Sequence, residues 1–459
     1  MQRANLLTLN NIIIFGVIIF GILLGVYTGY KGFSHLTAAL LISIVFVILT
    51  LIKPWIAISA FFFLIPLENL YVFQTSVSFT ATKLLGAYLI FIMIITGSLQ
   101  HIRDVFKNKK SYWIIAFGLA AILSIIFSKD PYYSITYLTT LMLSIITYFV
   151  LIVMVRDIKI FNYAILALLA GVVLSALSPL VFGFGEVEGD SLKRYGGLWG
   201  DQNEFAAILL VTMPLCISII LTARRNWLKI ITAFSCVVIF SGFLLTYSRS
   251  GFLAFSVMSL LALFKFVRGK NRFKILAIAV PCIIIALVVI YHTISFDVLS
   301  RLETLKLLED ERSIRSENSM FLRYKFYFDV GPKLFLEHPV LGVGFRGFVL
   351  HNPYEMISHS TYLEVLSGTG LVGFIPFMMI IYLTFKELWG IRNNPRTKTY
   401  DQIIISYSNA LELGFISYLF VGIFYSLDIN KMLWLLITLP AILVNISRIH
   451  RENASNALS

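Results

Sequence analysis

Charge is scarce in this sequence, and that scarcity excludes a soluble globular protein. Of the 459 residues, 13% are charged and 58% are apolar. Soluble domains carry roughly 25% charged residues. Apolar segments of about 20 residues recur along nearly the whole chain, and each is long enough to cross a bilayer. The sequence therefore predicts an all-α protein that spans a membrane many times.

Cysteine is also scarce. Cys216, Cys236 and Cys282 each lie within an apolar segment, and three scattered cysteines of this kind give neither a disulfide framework nor a metal site. No histidine, cysteine and carboxylate group has metal-ligand spacing, and the sequence contains no Walker-type phosphate loop. No Ser-His-Asp arrangement can be read from the spacing either. We therefore expect no metal site and no cofactor.

The apolar segments predict a polytopic transmembrane helix bundle of about 12–14 spans. The fourteen candidates are 11–29, 36–52, 54–67, 81–98, 113–128, 136–155, 160–183, 203–222, 226–246, 251–267, 274–291, 361–385, 403–427 and 431–447. Residues 54–67 are short for a span, so a tilted, re-entrant or interfacial segment stays open there.

The positive charge predicts the orientation of the bundle. The net charge is +13, but the Lys and Arg residues concentrate in short loops such as Arg103–Lys110 and Lys386–Lys398. Short basic loops stay in the cytoplasm, so we expect both termini inside and no nucleic-acid partner. The chain then divides into transmembrane helices (1–291), one external, periplasmic loop (292–360), and transmembrane helices with a cytoplasmic tail (361–459).

The long external loop carries mixed charge, with eight Lys or Arg and nine Asp or Glu residues. Within it, Arg312–Glu337 is predicted to be a helix, because Phe321, Tyr324 and Phe328 recur at helical spacing. We expect the loop to form a small amphipathic helical cap on the outer face. Most of its basic residues are expected to be a solvated face, with one or two in a binding role: Arg301, Arg312, Arg315, Arg323, Lys325 and Arg346.

Two short motifs are candidate anion sites. The segment Arg194–Glu204 reads RYGGLWGDQNE, and its glycines, followed by an Asp201–Glu204 capping box, are typical of a helix start that receives an anion. An ordinary helix entry is the alternative. In Thr246–Gly251, Arg249 sits between two apolar spans, where its guanidinium suits bidentate phosphate binding. Snorkelling to lipid headgroups is the alternative there.

Two histidines are candidate general bases. His359 lies two residues before Thr361, where a Thr361–Glu364 capping box is predicted to start a glycine-rich span. His351 lies eight residues earlier, in the loop. An imidazole near its unperturbed pKa suits proton abstraction, although a lone histidine is more often structural. Glu412 lies well inside the span 403–427. Two roles stay open for it: a buried structural hydrogen-bonding group, or part of an ion path.

Four stretches together resemble the O-antigen ligase and O-antigen polymerase superfamily of bacterial membrane proteins. They are the RYGG…GDQN segment at 194–203, the SRSG turn at 248–251, the loop from Arg323 to the PVLGVGF run ending at 345, and HSTY…GTGLVG at 359–373. They occur in the family's order, over the C-terminal 60% of the chain. The family usually has Asp-Pro-Asn where this chain has Asp201-Gln202-Asn203, and His-Asn where it has His359-Ser360.

The resemblance implies glycosyl transfer from a polyprenyl-diphosphate-linked saccharide donor, outside the bacterial cytoplasmic (inner) membrane. Arg249 and a loop arginine, Arg323 or Arg315, would then hold the lipid diphosphate. Arg194 and Asn203 would also bind substrate, and His359 would orient or deprotonate the acceptor hydroxyl. Arginines could neutralise the leaving diphosphate without a metal. Because a His-Asn pair also occurs at 351–352, His351 stays a rival.

The acceptor and the wider class stay open at this point. A ligase would use a lipid-core acceptor and a polymerase another sugar repeat unit, and we favour polymerase or general polysaccharide assembly. Membrane lipid, a flippase and chain-length proteins are the further partners that the resemblance implies. A secondary transporter is the alternative from another class, although the internal repeats common in transporters are absent from the sequence. A non-catalytic assembly partner is the third.

Overall fold

The structure is a computed structural model, and it describes residues 35–67, 71–73, 79–182, 195–266, 281, 319–393 and 402–456. Its helices are α1 His35–Ile52, α2 Trp55–Leu64, α3 Ala81–Ile95, α4 Ile102–Phe106, α5 Lys109–Ser124, α6 Pro131–Met154, α7 Ile158–Phe182, α8 Gln202–Thr222, α9 Asn226–Leu245, α10 Arg249–Phe266, α11 Ser319–Lys325, α12 Gly331–Glu337, α13 Thr361–Asn393, α14 Gln402–Val421 and α15 Lys431–Asn456. Two short strands, β1 Tyr71–Phe73 and β2 Phe79–Thr80, pair antiparallel. The predicted all-α polytopic bundle is confirmed.

Eight helices in the described part are long and apolar enough to cross a membrane. They correspond to α5 to α9 and α13 to α15, with α5 extended by a 3-10 turn to Phe127. Helix α3 and the segment Ser98–Phe106 form a further candidate, bent by 91°. The predicted span 11–29, and all of the predicted span 274–291 except residue 281, lie outside the described residues. Residues 54–67 are a short apolar helix, as their length indicated.

Burial separates central from peripheral helices. In the apolar stretches of α8 and α15, 78% and 83% of the residues are buried, whereas in that of α9 22% are buried. In a membrane, a helix with most of its apolar side chains uncovered faces lipid tails. Helices α8 and α15 therefore form the centre of the bundle, and α14 packs along α8 while α13 packs along α5.

Helix α13 is broken at Gly370, where φ is 59° and ψ is −162°. The break releases the backbone N–H groups of Leu371 and Val372, which donate instead to the carbonyls of Pro339 and Val340 at 2.9 and 3.1 Å. In return, the N–H of Val343 donates to the carbonyl of Ser367 at 2.9 Å. Segment 339–343 is thus hydrogen-bonded into the helix, and we call this arrangement the latch.

The described part of the predicted cap is helical from Ser319 to Glu337, with a π-helical turn, Phe326–Val330, between α11 and α12. Two of the aromatic residues at helical spacing lie on its exposed face. Tyr324 and Phe328 are 61% and 70% exposed, whereas Leu322 and Phe326 are buried. Leu322 and Phe326 pack in a small core with Leu334, Val343 and Phe348. The π turn Phe326–Val330 adds a residue to the helical period, so the direction of the apolar face changes there.

The ionisable residues inside the bundle are paired. The Glu412 carboxylate contacts both Lys265 and Arg392, which favours the structural alternative for Glu412 over an ion path. The fully buried Lys110 ammonium donates to Glu387 at 2.6 Å and to the carbonyl of Ile437 at 2.6 Å. Such pairing is what ionisable groups at membrane depth require.

Candidate functional site

The start of α8 forms one wall of a polar cluster. Asp201 is the N-cap, and its carboxylate accepts from the N–H groups of Asn203 and Glu204 at 2.8 and 2.9 Å. The Asp201 part of the predicted capping box is therefore confirmed. Glu204, the other residue of the box, also makes contacts outside it. Its carboxylate accepts from the Trp199 indole and, at 2.9 Å, from Asn430, so it joins the α8 start to the α14–α15 turn.

The start of α10 is held against α8. The Ser248 hydroxyl donates to the Asn203 side chain at 2.8 Å and accepts from the N–H of Gly251 at 3.2 Å. A Cβ at Gly251 would lie 2.9 Å from that of Ala206, so only glycine allows this close approach. Arg249, the first residue of α10, is fixed at the mouth of the bundle as a result. Asn203 thus positions the turn that carries Arg249.

The start of α13 differs from the predicted capping box. The residue before the helix is Ser360, and its carbonyl accepts the first helical hydrogen bond, from Glu364. The Thr361 hydroxyl instead donates to the carbonyl of Tyr425 at 2.8 Å. Glu364 accepts from both the N–H and the hydroxyl of Ser358, at 3.1 and 2.7 Å. Thr361 and Glu364 therefore bind neighbouring loop residues, at Tyr425 and Ser358, and do not form a capping box with each other.

These loop contacts fix His359. Its backbone is left-handed, with φ 53°, which is uncommon outside glycine. The Tyr327 hydroxyl contacts both the His359 and the Ile423 carbonyls at 2.8 Å, and the His359 ring lies 6.2 Å from that of Tyr425. Such a strained residue persists only where its surroundings over-determine it. The backbone of His359 is therefore held by the cap, and its ring lies beside the α14–α15 turn.

The electrostatic surroundings of His359 keep its imidazole neutral. Burial and the nearby Arg323 guanidinium lower the pKa of His359 to about 4, with Asp201 opposing them. Its Nδ1 atom is buried and has no hydrogen-bond partner among the described residues. A neutral ring with an unengaged nitrogen is the form that can accept a proton.

Arg323 interacts electrostatically with both His359 and Arg249. It lies on α11. Burial has the largest effect and lowers the pKa of its guanidinium, as does the like charge of Arg249, while Tyr327, Tyr425 and Asp201 raise it. Arginine stays protonated in proteins nonetheless. Its Nε atom is buried without a partner in the described part of the chain. The two guanidinium groups thus place like positive charges near each other and near His359.

The predicted site residues are therefore divided. His359, Arg249, Arg323 and Asn203 meet at one end of the bundle, whereas Arg194 and Arg315 lie outside the described residues. His351 is elsewhere in the loop. Its Nδ1 lies 2.9 Å from the Gly347 carbonyl, and burial lowers its pKa, with Lys129 and His338 rather than Arg323 as neighbouring charges.

Sequence reasoning missed a buried ion pair beside the cluster. Arg346 donates to Asp428 at 2.8 Å, and the two side chains are 7% and 1% exposed. The Arg346 guanidinium also lies 5.2 Å from the Tyr137 ring centroid. Burial opposes its charge, but Asp428 and Glu364 raise the pKa of Arg346. The ion pair fixes the 426–430 turn. Because its two residues are 82 positions apart, no local sequence pattern predicts the pair.

Three helices begin at this cluster: α8, α10 and α13. A helix N-terminus carries partial positive charge. Together with Arg249 and Arg323, these ends make the cluster suited to a large anion. Its neutral histidine adds a proton acceptor at the same place.

The fold and the cluster define a class: a multi-pass membrane protein with a cationic, histidine-containing site at one end of its helix bundle. A family model described as O-antigen ligase matches residues 234–378. This match supports the resemblance of the chain to the O-antigen ligase and O-antigen polymerase superfamily.

The matched region contains Arg249, Arg323 and His359, whereas Asp201 and Asp428 lie outside it. A search of the curated proteins found no match. The family supports a ligase-type or polymerase-type function in polysaccharide assembly, and with it a glycosyltransferase-like activity.

Proposed function

We propose that this protein transfers a saccharide from a polyprenyl-diphosphate carrier to a sugar hydroxyl at the outer face of the bacterial cytoplasmic membrane. The observation that carries the proposal is the meeting of two arginines with a neutral histidine. Burial and mutual repulsion perturb Arg323 beside Arg249, and Arg323 in turn lowers the pKa of His359. These three residues come from different helices and a loop, and all lie in the matched family region.

The two arginines are proposed to bind the diphosphate of the donor. Guanidinium groups make forked contacts to phosphate, and the helix N-termini of α8, α10 and α13 add fixed dipoles of the same sign. The leaving group develops negative charge as the sugar departs, so preorganised cations stabilise the transition state more than the ground state. Asn203 acts indirectly, by holding Ser248 and the turn before Arg249.

His359 is proposed to be the general base. The acceptor hydroxyl oxygen attacks the anomeric carbon, the bond between that carbon and the diphosphate oxygen breaks, and polyprenyl diphosphate leaves with the electron pair. The hydroxyl proton passes to the imidazole and from there to solvent. With a pKa of about 4 the ring is a weak base in the free protein, but a bound diphosphate would raise that pKa by charge attraction. Donor binding thus prepares the base.

Arg194 and Arg315 stay proposed as further donor contacts, on the sequence alone. The alternative of a secondary transporter is not favoured, because Glu412 is occupied by Lys265 and Arg392. The ligase and polymerase reactions share the donor and the site described, and differ in the acceptor, which is a lipid-core sugar for one and another repeat unit for the other.

A reconstitution tests the proposal. The purified protein in liposomes receives lipid-diphosphate-linked repeat units, with and without a lipid-core acceptor, and products are sized on a gel. A ladder without lipid core identifies a polymerase, and one product that requires lipid core identifies a ligase. Unchanged donor in both arms, with protein shown to be folded and inserted, would refute glycosyl transfer and favour a non-catalytic assembly partner.

A further inference from the structure

A cavity lies at the end of the bundle opposite the candidate site. It has a volume of about 410 Å³ and lies between the region around α4 and the start of α5, the end of α13 and the end of α15. Its basic lining residues are Lys107, Lys109, Lys386, Arg448 and Arg451. A cavity of this size is within the range of small-molecule and headgroup sites.

The cavity and the candidate site lie at opposite faces of the membrane. Helix α13 carries Glu364 beside the site and Glu387 in the cavity wall. Twenty-three residues separate these two positions, which is about 35 Å of helix at 1.5 Å per residue. The hydrocarbon core of a bilayer is about 30 Å thick. The same helix therefore joins two sites that face different sides of the membrane.

The positive charge of the cavity exceeds what its carboxylates neutralise. Asp104 already binds Lys107 at 2.9 Å, Arg156 at 2.7 Å and Arg448 at 3.4 Å. Glu387 is bound by Lys110 at 2.6 Å and by Asn108 at 2.5 Å.

The other three basic side chains of the lining, Lys109, Lys386 and Arg451, form no ion pair with the residues described here. Arg451 donates to the Ser447 carbonyl at 3.0 Å, and Lys386 lies 5.9 Å from the Tyr382 ring centroid. A lining with three uncompensated cations favours an anionic ligand.

Two buried polar atoms in the wall point to the same kind of ligand. Within the described chain, the Ser447 hydroxyl and the Nε of Arg448 are buried without a hydrogen bond, and the Nε of Arg448 has only the Glu452 carboxylate, at 3.8 Å, as an ion-pair partner. The Ser447 side chain is 9% exposed. Buried donors are normally paired in native structures, and a phosphate offers several strong acceptor oxygens.

Aromatic residues place the cavity at the level of lipid headgroups. Trp389 and Tyr382, on α13, are 61% and 55% exposed. Tryptophan and tyrosine gather at the membrane–water interface, where one end of the ring is apolar and the other is wet. Basic pockets between transmembrane helices at this level are typical binding sites for anionic lipid headgroups.

We propose that this cavity binds the phosphate headgroup of an anionic phospholipid. The occupant is independent of the donor site and of the proposed transfer reaction. Lys386 and Arg451 are exposed at the cavity, so their removal changes its charge without opening the protein core.

The test is lipid binding to the delipidated, full-length protein, followed by native mass spectrometry. Phosphatidylglycerol is compared with phosphatidylcholine, for the wild type and for a Lys386→Gln, Arg451→Gln double variant. The matched control is Arg224→Gln, Arg225→Gln, which removes the same charge from two exposed residues after the end of α8. Helix α8 starts at the candidate site, so its end lies at the face of the cavity.

We expect the wild type to prefer phosphatidylglycerol and the cavity variant to bind it about thirty-fold more weakly, because each cation contributes about a factor of five. The control variant should keep wild-type affinity.

Equal losses in both variants would mean that general surface charge, and not the cavity, binds the lipid. Equal binding of the two lipids would overturn the assignment of an anionic ligand. Competition by millimolar inorganic phosphate would make the cavity a free-phosphate site instead. If the double variant does not fold, Lys109→Gln replaces it, with a five-fold loss expected.

Discussion

Replacing Gly370 with alanine breaks the latch between the cap and α13. An alanine Cβ would lie 2.3 Å from the Val340 carbonyl oxygen and 2.4 Å from its carbon. Both are backbone atoms, so neither can rotate away. The position also has φ 59° and ψ −162°, a region that is essentially restricted to glycine and costs other residues about 1–3 kcal/mol.

The total cost follows from these contacts. Segment 339–343 must move, and the hydrogen bonds from Leu371 to Pro339 and from Val372 to Val340 are lost. Each is worth about 1 kcal/mol net. We therefore expect Gly370→Ala to destabilise the protein by about 3–5 kcal/mol and to reduce sugar transfer, because the latch continues into the Arg346 turn and the cap that carries Arg323.

The assay is thermal unfolding of purified protein in detergent, together with donor turnover in liposomes. Gly390→Ala is the matched control, because it lies in the same helix and a Cβ there meets nothing within 4 Å. Alanine in a helix is about 0.5–1 kcal/mol more favourable than glycine, so the control should be at least as stable as wild type. A Gly370→Ala protein with wild-type unfolding and turnover would refute the latch.

Two further predictions concern the arginines. Arg249→Lys should lose transfer nearly as completely as Arg249→Ala, since lysine cannot make the forked phosphate contact, whereas restored turnover would show that Arg249 only anchors the helix end. Arg323→Gln should raise the pKa of His359 from about 4, because a neighbouring positive charge is removed. Protonation then inactivates the base at higher pH, and the acid limb of the kcat/KM profile shifts upward. An unchanged acid limb would show that Arg323 does not influence the protonation of His359.

Features set by local chemistry could be predicted from the sequence. Apolar length identified the long spans, and the Asp201 side chain marked the start of α8. Arg249, Arg323 and His359 were selected as residue types suited to anion binding and proton transfer, in the order of the family motifs, and the structure brings them together.

Features that depend on distant partners could not be predicted. The Thr361 hydroxyl is used by a turn 64 positions away, so a local capping pattern selected the wrong partner. Asp428 and Tyr425 enter the cluster from a short loop with no motif of its own. The glycines at 368–373 were visible in the sequence, but their role in receiving segment 339–343 required the fold.

The most direct test of the account is the rate of sugar transfer by His359→Ala, measured with donor binding in the same reconstituted sample and with His351→Ala as the matched histidine control. We predict that His359→Ala loses about 100- to 10,000-fold in transfer, the range for a removed general base, while it still inserts and still binds the lipid diphosphate. His351→Ala should stay within roughly an order of magnitude of wild type, because its ring lies against Gly347, away from Arg323. Near-normal transfer by His359→Ala would contradict the account.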